Sequence, residues 1–154
     1  KLSDLTWKNM CEAERPVYTE EEKAYAKSIQ DTVASAAVER DRAPFHTDEV
    51  LHSQVAARDT WKEVTMTAST DAGDVSYLMP MCFFTVANLP FGVAPHTWQA
   101  TALTGTSIGA KNALYAARIM AGTAYDLLTQ PETTEAIIKE FKDADVDYSP
   151  MYHE

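Results

Sequence analysis

One histidine stands out as a residue that could do chemistry. His96 lies in residues 89–99, a loop that contains Pro90 and Pro95 and follows the most apolar run of the chain. Its imidazole could ligate a transition metal or transfer a proton near neutral pH. Loops at strand ends carry the sites of open α/β sheets, which makes a functional role one interpretation. From the residues alone we prefer a structural role, because no Cys, His or carboxylate flanks His96 at ligand spacing.

Two carboxylates three residues apart form a second candidate. Asp71 and Asp74 belong to the run Ser-Thr-Asp-Ala-Gly-Asp at residues 69–74, which could hold a metal ion or act as an acid–base pair. The same residue types favour turns and helix caps, so Thr70 or Asp74 could instead cap a short helix. We prefer the structural interpretation, and no Glu follows where a calcium loop requires one.

The other polar groups are assigned structural roles. Residues 105–111, Gly-Thr-Ser-Ile-Gly-Ala-Lys, lack the spacing of a Walker phosphate loop, so helix capping explains them better. Cys82 is expected to be a buried, inert thiol inside a strand. The remaining histidines are expected to be exposed to solvent: His46, His52 and His153.

The elements that must position these residues follow from the hydrophobic pattern. Thr19, followed by three glutamates, predicts a capped helix that continues to about Arg42. Residues 61–68 alternate between apolar and polar, which predicts a half-buried or edge strand. Residues 81–87 are almost entirely apolar, which predicts a central strand covered on both faces.

Two further helices are predicted in the last third of the chain. An apolar stripe at helical spacing predicts a long helix over residues 106–130, packed on the sheet through small residues. Pro131 is expected to open another amphipathic helix that ends near Lys142. The stripe consists of Ala110, Ala113, Leu114, Ala117, Met120, Ala121, Ala124 and Leu128.

These elements predict an α/β fold, a layered sheet with long helices packed on it. The 154 residues, 45% of them hydrophobic, are expected to form one segment with one core. The net charge of −10 excludes sequence-independent binding to nucleic acid or to an anionic membrane. Two distant cysteines favour a reducing cytoplasm. Lys1 stands where an initiator Met is expected, which favours a processed or excised segment.

Five motifs, in consistent order, resemble the zinc-dependent aminoacylase and glutamate-carboxypeptidase superfamily of amidohydrolases. The resemblance extends over about residues 16–150 and implies the C-terminal portion of a zinc-peptidase-like catalytic domain. The motifs are Pro-Val-Tyr-Thr-Glu-Glu-Glu (16–22), Ser-Thr-Asp-Ala-Gly-Asp-Val-Ser (69–76), Pro-His-Thr-Trp-Gln (95–99), Gly-Ala-Lys (109–111) and Ala-Gly-Thr-Ala (121–124).

The resemblance also implies how this chain would contribute to a site. Members of the superfamily hold two metal ions, zinc or manganese, and a Glu acts as general base on the bridging water. The motif places the last metal-ligating histidine at His96, and it suggests that Thr70 and Asp71 line the substrate pocket. No residue of this chain is assigned as catalytic. The family's His-x-Asp pair, bridging carboxylate and Glu-Glu pair have no counterpart here, so the N-terminal half and the lid and dimerisation domain are expected to be absent.

Two functions remain open at this point. The first is the C-terminal portion of a metal-dependent amidohydrolase that cleaves p-aminobenzoyl-glutamate or related N-acyl amino acids. The chain alone would then be catalytically incomplete and metal-free, and its partner would be the missing N-terminal half or a second copy. The second is a noncatalytic α/β interaction module that pairs with another polypeptide through an exposed sheet edge. On the first hypothesis, His96 should lie partly exposed beside a cleft that residues 69–74 also line.

Overall fold

The structure, a computed structural model, describes residues 1–58, 60, 70–144 and 146–149. Within these residues it contains helices, turns and irregular segments but no β-strand. A short 3-10 helix, Ala43–Phe45, follows the third α-helix. The α-helices are α1 (Leu2–Glu12), α2 (Glu20–Gln30), α3 (Ser35–Arg42), α4 (Ala72–Leu78), α5 (Trp98–Thr104), α6 (Ser107–Thr129) and α7 (Pro131–Asp143).

The predicted layered α/β sheet is therefore wrong. Residues 81–87, the predicted central strand, have no regular secondary structure, and Phe83 within them is 70% exposed. A strand must exchange backbone hydrogen bonds with a neighbouring strand, and apolar composition does not reveal whether a neighbour exists. The predicted strand at residues 61–68 lies outside the described residues. None of the helices in the described part of the chain is long and apolar enough to cross a bilayer.

The predicted start of α2 is confirmed by a complete capping box. Thr19 Oγ1 accepts from the Glu22 amide at 3.2 Å, and Glu22 Oε2 accepts from the Thr19 amide at 2.7 Å. The predicted end near Arg42 is wrong, because α2 ends at Gln30 and α3 follows as a separate helix. At the break, the Thr32 hydroxyl donates to the Ile29 carbonyl at 2.7 Å, a side-chain bond that competes with helix continuation.

The chain divides into two compact units. Unit 1 comprises Lys1–Glu12, Trp61–Phe84 and Ile119–Glu154, and unit 2 comprises Ala13–Thr60 and Thr85–Arg118. The division falls within α6, so this helix contributes its first half to unit 2 and its second half to unit 1.

Unit 2 has a hydrophobic core to which its helices and the 89–93 loop contribute. The loop is held by Gln30, whose Nε2 donates to the Phe91 carbonyl at 3.1 Å, and by Asp41, which accepts from the Gly92 amide at 3.2 Å. Gly92 has a φ of +85°, and a Cβ there would lie 2.9 Å from Val38 Cγ2, so glycine is required. The core comprises Tyr18, Ala26, Ile29, Leu51, Val93, Leu103 and Ile108.

In unit 1, a buried carboxylate joins α1 to the second half of α6. Asp126 accepts hydrogen bonds from Asn9 Nδ2 at 2.9 Å and from Gln130 Nε2 at 2.9 Å. Asn9 and a more distant Lys8 ammonium hold the pKa of Asp126 below its usual value. Gly122 permits the close approach of α1, because a Cβ there would lie 2.4 Å from Asn9 Oδ1.

The predicted helices α6 and α7 are confirmed, but the face that α6 buries is not the predicted one. All eight residues of the apolar stripe are exposed to solvent. The buried positions lie on the other side of the helix and include Ile108, Asn112, Tyr115, Ile119 and Asp126. Two of these are polar and are satisfied by partners distant in the chain, which hydrophobic spacing alone does not indicate. The expectation that the stripe packs on a sheet is wrong.

Candidate functional site

The predicted metal ligand occupies a turn that leads into a helix. His96 is exposed and has a φ of +62°, a left-handed conformation that His adopts more readily than most residues. The next residue, Thr97, caps α5: its Oγ1 accepts from the Ala100 amide at 3.3 Å and donates to the Ala94 carbonyl at 2.8 Å. The Pro-His-Thr-Trp-Gln motif is thus a turn and helix start that presents an imidazole to solvent.

The turn is flanked by residues that are buried in the core of unit 2. Val93, three residues before His96, is buried in that core, and so is Leu103 of α5. Gln99 Nε2 donates to the Thr32 hydroxyl at 3.2 Å, which ties the start of α5 to the segment after α2. His96 therefore has an exposed side chain on a backbone that is fixed from both sides.

The described residues do not assemble a metal centre by themselves. No group of three or more His, Cys, Asp and Glu side chains in these ranges could hold an ion. A structural zinc site needs four ligands and a catalytic site needs three plus water. His96 would therefore fit a metal centre only together with ligands from outside the described residues.

The predicted pocket residues lie at the start of α4, in unit 1. Thr70 Oγ1 accepts from the Ala72 amide at 3.3 Å, and the Thr70 carbonyl accepts from the Gly73 amide at 3.3 Å. Asp71 is exposed and occupies the N-cap position of α4. These contacts agree with the interpretation that the segment forms a turn and helix start. Ser69 lies outside the described residues, and the convergence of Thr70 and Asp71 with His96 on one cleft stays a prediction.

An aromatic residue that sequence analysis missed contacts the second aspartate of this motif. Tyr148 hydrogen bonds to Asp74, and its ring stacks on Tyr77 with centroids 4.8 Å apart and planes 7° from parallel. Burial, followed by the Asp74 carboxylate, raises the pKa of the Tyr148 hydroxyl. The available signal was an aromatic residue within an acidic C-terminal segment.

Two other motif segments meet at the carboxylate of Glu22. It accepts from Lys111 Nζ at 2.6 Å and from Ser107 Oγ at 2.5 Å, in addition to the capping bond from Thr19. Lys111 and Ser107 lower the pKa of Glu22 to about 2. A cavity of about 400 Å³ beside this carboxylate is lined by Thr19, Glu21, Glu22, Tyr25, Thr106, Ser107 and Ile108. Residues 16–22 and 109–111 thus form a structural contact. The helix-capping interpretation of residues 105–111 is supported by a different bond, in which Thr106 Oγ1 accepts from the Ile108 amide at 3.2 Å.

The chain can also be compared with known proteins. No family model and no solved structure matches the chain. A curated protein does match, and it is one of the subunits of the p-aminobenzoyl-glutamate hydrolase of Escherichia coli (strain K12). It is 34% identical over an alignment of 126 positions, and this alignment covers 73% of this chain. The two proteins are homologous. The resemblance inferred from the five motifs is thereby confirmed for this relative, while membership of the wider superfamily stays a prediction.

The chain spans about a quarter of this hydrolase subunit, since the match covers 26% of the longer protein. About three quarters of the Escherichia coli protein thus has no counterpart in these 154 residues.

The predictions for the remaining histidines and for Cys82 are confirmed only in part. His46 is exposed, as predicted, whereas His153 lies outside the described residues. The prediction that His52 is exposed is wrong, because both of its ring nitrogens are buried. The centroid of its ring lies 4.3 Å from that of Phe45 and 6.0 Å from that of Phe91. Burial lowers the pKa of His52. Cys82 is half-buried in an irregular segment, so the prediction of a thiol buried in a strand is wrong.

Proposed function

We propose that this chain is one section of a metal-dependent amidohydrolase and that His96 is one ligand of its metal centre. The observation that carries the proposal is the homology to the p-aminobenzoyl-glutamate hydrolase of Escherichia coli, which includes 73% of this chain. The exposed imidazole on a fixed turn supports the assignment, because a ligand must reach an ion without rearranging its backbone.

The proposed reaction is hydrolysis of the amide bond of p-aminobenzoyl-glutamate or a related N-acyl amino acid. A bound pair of zinc or manganese ions would supply a water of lowered pKa and polarise the scissile carbonyl. His96 would donate a lone pair of its imidazole to one ion and so attach that ion to unit 2. Thr70 and Asp71 would line the pocket for the substrate. The general base and the other ligands would come from the rest of the hydrolase.

Because the general base and the other ligands would come from the rest of the hydrolase, the isolated chain would be catalytically incomplete. One imidazole does not hold zinc against water, because binding requires several deprotonated ligands in one geometry. The partner would be the N-terminal part of the hydrolase, which corresponds to sequence in the longer relative that this chain does not match. The alternative, an α/β module that pairs through a sheet edge, loses its basis, because the described residues contain no sheet.

A chimera tests the proposal. This chain would replace the homologous section of the Escherichia coli protein, and the product would be produced together with the other part of that enzyme. We expect metal-dependent release of p-aminobenzoate, and we expect His96→Ala to abolish it and to reduce the bound metal measured by mass spectrometry.

His46→Ala is the matched control for this experiment. His46 is also exposed and also has a positive φ, 49° against 62° for His96, but it lies outside the motif. The His46 variant should retain both activity and metal. Full activity and metal content in the His96→Ala chimera would contradict the metal-ligand assignment.

A further inference from the structure

The strongest unexplained feature of unit 2 is a histidine buried in an aromatic cluster without hydrogen bonds. Both ring nitrogens of His52 are buried, and neither has a partner among the residues that the structure describes. The two rings it contacts, Phe45 and Phe91, also contact each other, with centroids 5.4 Å apart. A buried polar group without hydrogen bonds costs free energy, so an apolar side chain would pack here at lower cost. The histidine therefore indicates a function that packing does not require.

We propose that His52 is a pH-sensitive switch that controls the 89–93 loop. With a neutral ring, the loop packs on the aromatic cluster. With a protonated ring, the loop separates from the cluster, and the turn that carries His96 loses its fixed position. The opening of the loop concerns unit 2 alone and does not depend on the proposed hydrolase function. Only its consequence for metal binding by His96 rests on that function.

The contacts of Phe91 connect the loop to the segment that carries His52. Besides the ring contact, the Phe91 amide donates to the Val50 carbonyl at 3.4 Å, two residues before His52. Within the loop, the Val93 amide donates to the Pro90 carbonyl at 3.1 Å, which closes the loop into a turn. Phe91 and Val93 are therefore displaced together when the loop leaves the ring of His52.

The same loop supports the turn of His96 on its N-terminal side. Val93 is buried in the core of unit 2 only three residues before His96, and the hydrogen bond between Gln99 and Thr32 supports the turn on the other side. An open loop withdraws Val93 from the core, so that the second attachment has to hold the turn. The imidazole of His96 is then less well oriented, and metal affinity depends on well-oriented ligands.

The segment that carries His52 does not compensate a charge on the ring. Glu49 is the carboxylate that acts on the ring, but its Oε2 already accepts from the Ser53 amide at 3.2 Å and from the Ser53 hydroxyl at 2.7 Å. Burial has the larger effect and lowers the pKa of His52, whereas Glu49 raises it by less. The closed loop thus favours the neutral ring.

The elements packed against the ring contribute a positive charge. The Arg42 guanidinium lies 5.9 Å from the centroid of the Phe91 ring, and Arg42 Nε is buried without a hydrogen-bond partner in the described part of the chain. The neighbouring Asp41 carboxylate already accepts from the Gly92 amide at 3.2 Å. The loop itself contains no ionisable side chain. A proton on His52 would therefore place a second cation in the cluster that holds Arg42.

The direction of the switch follows from linkage. In the open loop the ring of His52 is solvated and takes up its proton near the ordinary pKa of 6.5, whereas burial in the closed loop lowers that pKa. Acidification below pH 6.5 therefore favours the open loop. Because one proton is taken up, the equilibrium constant for opening rises by at most about tenfold per pH unit.

Amide hydrogen exchange of the 154-residue chain, followed by NMR without metal or substrate, tests the proposal. After correction for intrinsic exchange rates, we expect the protection of the Phe91 and Val93 amides to fall by about tenfold between about pH 7 and pH 5. The amides of Ala26 and Ile29 in α2 report the unfolding of unit 2 and should be better protected at each pH. Equal protection of loop and α2 would mean that the loop opens only by unfolding, which would overturn the proposal.

A pair of variants identifies the titrating group. His52→Phe should keep the loop protected at both pH values, whereas His46→Phe, a change at an exposed position, should behave as the wild type. Should His52→Phe not fold, the wild type still decides, because the NMR titration of the His52 ring must have the same midpoint as the opening of the loop. Protection independent of pH, different midpoints, or a wild-type response in His52→Phe would each overturn the proposal.

Discussion

The Glu22 carboxylate and the Lys111 ammonium lie 2.6 Å apart and join the start of α2 to the second turn of α6. The same carboxylate accepts from Ser107 and caps α2 through the Thr19 amide, so one side chain satisfies donors from two helices. Lys111 in turn donates to the Val17 carbonyl at 2.8 Å. Unit 2 is therefore held at this corner by a network of charge-assisted hydrogen bonds, which are stronger than neutral ones.

Glu22→Gln should lower the free energy of unfolding at neutral pH. The change removes the charge that Lys111 and Ser107 stabilise, and hydrogen bonds to charged groups contribute about 1.5–3 kcal/mol each. We expect a loss of about 1–3 kcal/mol in urea unfolding followed by circular dichroism. Glu21→Gln is the control, because it removes the same charge from the same helix turn at an exposed position. Equal losses in the two variants would contradict the assigned role of Glu22.

The same carboxylate predicts a loss of stability in acid. The pKa of Glu22 is about 2 in the folded chain against an ordinary 4.5, so the unfolded chain binds the proton more tightly. The stabilisation is complete above about pH 4.5 and disappears as the pH falls towards 2. Urea unfolding at a series of pH values should show the wild type and Glu22→Gln converging at low pH. A constant difference between them down to pH 2 would refute this prediction.

Gly92→Ala should destabilise unit 2. The φ of +85° is unfavourable for a residue with a side chain, and the added methyl would lie 2.9 Å from the backbone nitrogen of Val38. We expect a loss of about 1–3 kcal/mol in the free energy of unfolding. Gly73→Ala is the control, because nothing lies within 4 Å of a Cβ there and the site is helical. The Gly73 variant should be at least as stable as the wild type. A Gly92→Ala variant with an unchanged free energy of unfolding would contradict the prediction and show that the loop can shift to accommodate the methyl group.

His52 should make the stability fall on mild acidification. Both of its ring nitrogens are buried without a hydrogen-bond partner among the described residues, and burial lowers its pKa, against a smaller opposing effect of Glu49. The unfolded chain therefore takes up the proton first, so stability decreases as the pH falls below the ordinary value of 6.5. His52→Phe should flatten the dependence of the melting temperature between about pH 7 and pH 5. His46→Phe, a change at an exposed position, should leave the slope of melting temperature against pH as it is in the wild type. A wild-type slope in His52→Phe would show that His52 does not cause this pH dependence.

The isolated chain should not hydrolyse p-aminobenzoyl-glutamate, even with added zinc or manganese. The physical reason is the lack of a group of three metal-ligating side chains among the described residues. Release of p-aminobenzoate, followed by chromatography, measures this directly. Metal-dependent turnover by the chain alone that disappears in His96→Ala would mean that other ligands exist in this chain and that the proposed division of labour is wrong.

Some features of this protein were fixed by interactions between residues close in sequence. The start of α2 follows from Thr19 and Glu22, which cap each other three residues apart, and the start of α7 follows from Pro131. The motifs at residues 69–76 and 95–99 indicated the homologue and selected His96. Such signals are readable because both partners of each interaction lie within one turn of chain.

The features that only the tertiary structure decided depend on partners far away in the chain. Residues 81–87 have the composition of a central strand, yet the described residues offer no strand to pair with them. The face of α6 that is buried is decided by Asn112, which donates to the Tyr18 hydroxyl at 2.8 Å, and by Asp126, which binds Asn9. Local spacing measures how apolar each face is, but burial depends on which groups other segments bring to it. A face with matched polar partners can therefore be buried while the apolar stripe of the same helix stays in water.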